Sequence, residues 1–341
     1  MDVLSDVVAI MRTGRPRSAR IQWRDVWGQR FPSALGSAGF QVILQGSCWL
    51  IPPSGAPIAL GVGDVVFFPH GHGYGLAATP STPLAEPDCD PLEEAELFVS
   101  ASVGDSRDGA GTVTLCGGYQ LDPSRAHPLL RDLPDMIHLP ARLGNRPELR
   151  AAIDLLSGEI DNPRLGVDTI VPALLDMLLL YILRAWFDEQ PARAAPPGWA
   201  AALTDPVISA ALHAIHRDPA HPWTVQTLGS RAGLSRAAFS HRFTTLVGQP
   251  PMAYLTWWRM TSAARLLRES DASLAEVAAH IGYASEFAFA NAFKREFGTA
   301  PGRYRRRSQP APQPAAVSSV SASSSEGPSE VGPPGRYTSQ N

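Results

Sequence analysis

The sequence predicts a multidomain α and β protein: a β-rich N-terminal part, then a helix pair, then an all-α part with two helix-turn-helix motifs. Three observations predict this. A motif recurs between Thr224 and Tyr304, short apolar segments punctuated by Gly and Pro fill residues 19 to about 115, and the two ends carry opposite charge.

The recurrence is specific. Leu228-Gly229-x-x-x-Gly233 overlays Val277-Ala278-x-x-x-Gly282 at an offset of 49, and one extra residue in the second turn makes the offset 50. Ser235, Phe239, Phe243, Gly248, Pro251 and Tyr254 then match Ser285, Phe289, Phe293, Gly298, Pro301 and Tyr304. Each copy reads as a short helix, a glycine turn, a serine N-cap and a second helix that ends at glycine. A small residue at Gly229 or Ala278 lets the two helices cross closely. This is the anatomy of a motif whose second helix can enter a DNA major groove.

Between the copies, Pro251 opens a run of good helix formers that continues to Arg268. The spacing predicts one long helix that joins both motifs into a single reader. Helix, motif, linker helix, motif and a closing Pro301-Gly302-x-Tyr304-Arg305 together resemble the DNA-binding domain of the AraC/XylS transcriptional regulators. The resemblance covers about residues 205–307 and implies sequence-specific promoter binding, homodimers and contact with RNA polymerase.

Stepping about 100° per residue from Phe239 turns Phe243 and Leu246 inward and Ala237, Ser240, His241 and Thr244 outward. In the second copy Phe289 and Phe293 turn inward, and Glu286, Phe287, Ala290, Asn291 and Lys294 lie on or beside the outer face. Asn291 suits adenine, His241 suits guanine, and Phe287 suits a thymine methyl. Ser235 and Ser285 cap N-termini that favour a phosphate, while Arg236, Arg242, Lys294 and Arg295 flank the readers as backbone holders. The small Ala237 and Ala290 predict sparse base contacts supplemented by DNA shape.

Charge agrees with a polyanion partner for one end only. Residues 204–307 hold 13 basic and 7 acidic side chains, a net of +6, whereas residues 1–203 hold 15 and 23, a net of −8, within a chain of net charge −3. An apolar fraction of 44% is ample for packed cores. The N-terminus has no basic segment followed by an apolar run, which predicts no secretory signal, and three cysteines make no disulfide framework. The expectation is a cytoplasmic protein with no membrane contact.

In the N-terminal part, Phe40–Leu44, Ser47–Ile51 and Asp64–Phe68 are short apolar strand candidates. The phrase Gly61-Val62-Gly63-Asp64-Val65-Val66-Phe67-Phe68-Pro69-His70-Gly71 resembles the second motif of cupin barrels, which implies a cupin-like β-barrel sensor. Metal-binding cupins place a His-x-His pair early, where this chain reads Gly46-Ser47-Cys48-Trp49, and Tyr74 stands where a further histidine ligand is common. His70 and His72 lack a third ligand nearby, so no metal and no cofactor are expected. Cys48 and Cys116 sit in strand-like segments, either as small core hydrophobes or as a redox sensor; Cys89 lies in an acidic loop.

Residues 147–160 and 167–189 read as helices. In the second, Val171, Leu174, Leu175, Leu178, Ile182 and Trp186 form an apolar stripe that Leu179, Tyr181 and Leu183 widen. The width favours packing against the barrel and dimerisation through the stripe at once, with Leu178→Glu expected to give monomers. The resulting division is a sensor (1–146), a helical dimerisation region (147–189), a linker (190–203), the double helix-turn-helix domain (204–307) and a disordered tail (308–341). No nucleophile–base pair, carboxylate pair or phosphate loop in the right context appears, so the expected function is a non-enzymatic regulator that responds to a small molecule or oxidant. The alternative is a metal-dependent cupin enzyme fused to a DNA-binding domain.

Overall fold

The computed structural model describes residues 2–87, 97–104, 111–121, 127–141, 146–189 and 198–308. Helix α1 (Val3–Met11) comes first, capped by Asp2, whose carboxylate accepts from the Ser5 amide. Its buried Val3, Val7, Ile10 and Met11 recur with helical spacing. The strands β1 (Arg17–Trp23), β2 (Gly28–Phe31), β3 (Ser37–Gln45), β4 (Cys48–Ile51), β5 (Ile58–Leu60), β6 (Val65–Phe68), β7 (Tyr74–Ala77), β8 (Phe98–Val103) and β9 (Thr112–Gln120) follow. After the short α2 (Pro128–Arg131), β10 (Ile137–Leu139) is the last strand.

These strands form two sheets, ordered β10-β6-β3-β9-β1-β8 and β2-β7-β4-β5. The cupin-like domain is therefore a mixed sheet, in which β1 and β8 run parallel, paired with an antiparallel one, and among the described residues it does not close into the expected barrel. Alternation along β3 explains the layering. Ala38, Phe40 and Val42 face the helices, whereas Gly39 and Gln41 face the smaller sheet. Ile43 continues the alternation of Gly39 and Gln41 and enters the inter-sheet core with Trp23, Trp27, Leu50 and Phe68, and the register shifts only after it, between Ile43 and Gln45.

Helices α3 (Pro147–Asp161) and α4 (Val167–Glu189) cover the larger sheet. The apolar stripe of α4 is consumed inside the chain: Leu178, Leu183 and Val171 are fully buried, and the Tyr119 hydroxyl donates to the Leu175 carbonyl at 2.6 Å. The width of the stripe thus reflects packing against β9, α1 and α3, and Leu178→Glu would test folding rather than dimerisation. By length and composition α4 could also cross a membrane, but its apolar side is the one packed on the sheet.

Helices α5 (Trp199–Thr204), α6 (Pro206–Arg217), α7 (Val225–Arg231), α8 (Arg236–Val247), α9 (Pro251–Glu269), α10 (Leu274–His280), α11 (Glu286–Phe297) and α12 (Pro301–Ser308) make up the C-terminal part. The stretch read as a linker, 190–203, divides: 190–197 lies outside the described residues, and from Trp199 the chain is helical and buried. The tail expected to be disordered, and Cys89, also lie outside the described residues, apart from Ser308 at the end of α12.

The two parts share one hydrophobic core, which runs from α1 and the larger sheet through α5–α8 into the first half of α9. At its centre is a buried polar chain. The Leu129 amide donates to His127 Nδ1 at 3.0 Å, so the neutral ring carries its proton on Nε2 and donates to the Tyr254 hydroxyl at 3.1 Å. Tyr254 in turn donates to His216 Nε2 at 2.7 Å, and His216 Nδ1 donates to Asp6 Oδ2 at 3.3 Å. Trp199, Tyr254 and Trp257 box the His127 ring, and Trp258 stacks on His216 at 3.5 Å.

Burial, reinforced by the charges of His216 and Arg131, holds His127 well below the ordinary value of 6.5. Burial lowers His216 as well, against the opposing pull of Asp6. Both rings resist a proton that the unfolded chain accepts near 6.5, so their contribution is complete above that value and is lost as the pH falls below it. Unfolding measured between pH 7.5 and 5.5 should show stability falling with acid, and His216→Gln should flatten that dependence. Tyr254→Phe, which orphans both imidazoles, should cost about 1–3 kcal/mol at neutral pH. Equal acid sensitivity of the wild type and His216→Gln would exclude this account.

Candidate nucleic-acid interface

Both repeated motifs are assembled by the same local devices. Thr224 and Thr227 form a reciprocal capping box at the start of α7, and Ser273 with Glu276 does the same for α10. The turns match: the Leu234 amide donates to the Gly229 carbonyl at 2.9 Å and the Tyr283 amide to the Ala278 carbonyl at 2.8 Å. A methyl group on Gly229 would stand 3.2 Å from Phe239 Cβ, so the glycine fits the close approach of α7 and α8. Ser235 Oγ then caps α8 at the Ala238 amide, and Ser285 Oγ caps α11 at the Ala288 amide. Gly248 and Gly298 end these helices in the left-handed conformation.

Phe239, Phe243, Phe289 and Phe293 are fully buried and orient the two second helices. Val247 joins them in the first motif, while Leu246 is only half-buried. On the opposite face of α8, Ser235, Arg236, Ala237, His241 and Arg242 are exposed and Ser240 is half-buried. On α11, Ser285, Glu286, Phe287, Asn291, Lys294 and Arg295 are exposed and Ala290 is half-buried. Phe287 is 77% exposed, a large apolar ring with solvent on most of its surface.

Arg242 differs from the other basic residues. Its Nε donates to Asp205 Oδ2 at 2.9 Å and its Nη2 also reaches that oxygen. Asp205 itself caps α6 through the Val207 and Ile208 amides. Burial would raise the Asp205 carboxyl, but the Ile208 amide and Arg242 hold it below the usual carboxylate range. This guanidinium therefore clamps α8 to α6, whereas Arg236, Lys294 and Arg295 extend from the helix faces.

Helix α9 divides its packing between the motifs: Tyr254, Leu255 and Trp258 belong to the first core, and Met260, Ala263, Ala264 and Leu267 to the second. Two further contacts tie the second motif to the first. Gly282 has φ of +79°, and a methyl group there would meet the Ala220 backbone at 2.6–2.7 Å. Arg259 donates to the Pro219 and His221 carbonyls at 2.7 and 2.9 Å. Sequence reading had given Gly282 only a turn; its approach to a loop some sixty positions earlier leaves no local signal. It also passed over α12, where Arg303, Arg306 and Arg307 are exposed beside Tyr304, itself packed on Phe293 and Phe297. The arginine run was the available signal.

The sheet-rich part does not gather its candidate residues into one centre. His70 Nε2 donates to the Leu133 carbonyl at 3.0 Å, and His72 Nε2 lies 3.4 Å from Asp135. Among the described residues, no three His, Cys, Asp or Glu side chains cluster as metal ligands. Cys48 begins β4 in the inter-sheet core, and Cys116 lies on β9 in the other sheet. Burial, aided by the charge of Asp64, pushes the Cys48 thiol up to about 12. That direction opposes the thiolate that redox sensing requires.

A sheet-rich domain joined to a basic double helix-turn-helix unit defines a DNA-binding regulator, and the comparisons agree. A family model described as Cupin matches residues 2–188, and one described as Helix-turn-helix domain matches residues 228–307. An AraC-like transcription regulator of Streptomyces lividans is 36% identical over 309 residues, covering 90% of this chain and 98% of the relative. Another, of Streptomyces antibioticus, is 33% identical over 315 residues, covering 91% and 100%. Among solved structures, the DNA-binding domain of the global transcriptional factor AdpA, in complex with a target DNA, is 36% identical, covering 30% of this chain and 93% of that one with a TM-score of 0.29. The chain belongs to the AraC-like transcription regulators, with a cupin N-terminal domain.

Gly282→Ala should destabilise the second motif by more than about 1 kcal/mol, because its conformation and its contact with Ala220 both exclude a methyl group. Gly233→Ala, with no atom within 4 Å of the added methyl, should carry the conformational cost alone. Denaturant unfolding of both variants compares the two; equal losses would show that the Ala220 contact does not constrain the turn.

Proposed function

We propose that residues 204–307 read a promoter with both second helices at once. Residues 1–146 sense a small-molecule or oxidant signal, and 147–189 contact a second copy in a cytoplasmic homodimer. The exposed outer faces of α8 and α11, joined by one continuous helix, carry this reading. The 19 residues of α9 span about 28 Å at 1.5 Å per residue, and an oblique path along it sets the two helices roughly one DNA turn apart. In this reading Asn291, His241 and Phe287 contact bases, assisted by Ala237, Ser240 and Ala290. Ser235, Ser285, Arg236, Lys294 and Arg295 hold the backbone, with Glu286 at the edge of the second contact. RNA polymerase is the downstream partner, and the chain acts without catalysis.

Footprinting should show two protected major-groove segments about 10 base pairs apart for each chain. Asn291→Ala should cost about 1–3 kcal/mol and relax preference at one position, whereas Arg295→Ala should weaken all sequences alike and reduce the salt slope by about one. A single protected groove, or a uniform loss from Asn291→Ala, would confine reading to the first motif.

For assembly, the side chains available to a partner are the exposed Leu155 of α3 and Ile170 and Met177 of α4. Ile170→Glu combined with Met177→Glu should yield folded monomers in sedimentation. A wild type that is monomeric at micromolar concentration, with and without DNA, would exclude the dimer.

A further inference from the structure

We propose that the cavity between the two sheets binds a small, uncharged ring compound bearing a hydroxyl group, and that Gln41 and Tyr74 recognise this hydroxyl. The inference rests on reading the sheet-rich domain as the sensor and names the chemistry that it would sense.

The cavity has a volume of about 320 Å³, at the small end of the range for ligand pockets. Its floor is the paired strands β3 and β9, and its room comes from missing side chains. Gly39 and Gly118 are register partners; a methyl group on the first would meet only the Gly117 carbonyl at 3.6 Å, and one on the second only the Ala38 carbonyl at 3.4 Å. An aromatic wall closes the cavity: Tyr74 of the smaller sheet stacks between Phe31 of the same sheet at 4.9 Å and Phe68 of β6, in the larger sheet, at 3.9 Å. A flat apolar molecule suits these surfaces.

Besides Gln41 and Tyr74, the lining brings Arg15, Arg17, Ser18, Ser37, His72 and Gln120, and several of these are committed. Ser18 donates to the Cys116 carbonyl, Ser37 to the Ala34 carbonyl, and His72 pairs with Asp135. Arg15 donates to the Asp168 carbonyl. Gln41 differs from them in being buried with an unpartnered atom. Its residue is 1% exposed and its Nε2 donates to the Tyr74 hydroxyl at 2.9 Å, yet its Oε1 has no hydrogen-bond partner. Burial keeps the Tyr74 phenol protonated, because its ionisation is pushed well up.

In the arrangement shown, Gln41 Oε1 needs a donor and the Tyr74 proton needs an acceptor. Turning the amide over lets Tyr74 donate to Oε1 and leaves Nε2 in need of an acceptor instead. A hydroxyl both donates and accepts, so it satisfies the pair in either arrangement. A carboxylate cannot donate and so fits only the turned-over amide, whereas a hydroxyl fits both arrangements, and a polyol would bring more polar groups than the buried Gln41–Tyr74 pair can match.

The test uses the full chain with 2-naphthol, naphthalene and 2-naphthoate as probes, followed by calorimetry. The expected result is that 2-naphthol binds about tenfold or more tightly than naphthalene, since the hydroxyl relieves an unpartnered buried group. Gln41→Leu combined with Tyr74→Phe should abolish this preference while retaining naphthalene binding, and Gly118→Val should block both probes. Should Gly118→Val fail to fold, the double variant still decides, its folding being checked by the unfolding midpoint. Equal affinity of 2-naphthol and naphthalene, tighter binding of 2-naphthoate, or an unchanged preference in the double variant would overturn the assignment. A separate arm measures affinity for the footprinted DNA with and without 2-naphthol. Specific binding with no change in DNA affinity would leave the pocket assigned and remove the sensor reading.

Discussion

The buried chain from His127 through Tyr254 and His216 to Asp6 is the constraint around which the two halves are arranged. It joins α1, the residue preceding α2, α6 and α9, and each bond has a direction fixed by the one before it. No member can be removed without leaving a polar atom unpaired in an aromatic box, where such an atom is costly. The chain therefore specifies one relative placement of the sheet-rich domain and the first helix-turn-helix unit. The shared apolar core around it supplies the driving force, and the polar chain supplies the register.

A consequence is that the two motifs, alike in local chemistry, differ in attachment. The first is packed into the core of the sheet-rich domain through Phe239, Phe243 and Trp258, whereas the second has its own core around Phe289 and Phe293. The second reaches the rest of the molecule through α9, the Gly282–Ala220 approach and the hold of Arg259 on the loop after α6. A change in how the sheet-rich domain sits would therefore reach α8 directly and α11 only through these joints.

The sequence was most informative where structure depends on near neighbours. Caps, glycine turns and the phenylalanine pairs repeat at constant offsets, so the helix-turn-helix units and the inward and outward sides of α8 and α11 were legible. The apolar runs likewise marked β3, β4 and β6. What escaped was set by distant partners. Nothing near His127 announces Tyr254, and Arg242 looks like a phosphate holder until Asp205 stands beside it. The stripe on α4 looked too wide for one partner because its partners, β9, α1 and α3, come from three separate places. Trp199 was read as linker by its proline-rich surroundings, and its burial against His127 was not readable from composition.

The candidate pocket and the polar chain draw on nearby stretches of the sequence. β9 lays Cys116, Gly118 and Gln120 along the cavity and turns Tyr119 to the other side, where its hydroxyl holds α4. Seven residues beyond Gln120 the same chain supplies His127. Occupancy can change DNA affinity only to the extent that it favours one placement of the domains over another. A ligand seated on β9 would therefore change that affinity only if its contacts bias the junction of His127 with Tyr254 beside α8. Tight binding alone would not suffice, because a ligand equally content with both placements shifts nothing. The described link between the two is at α1: the Thr13 amide, just beyond that helix, donates to the Gln120 carbonyl at the end of β9 at 2.8 Å, and α1 carries Asp6, the last member of the polar chain.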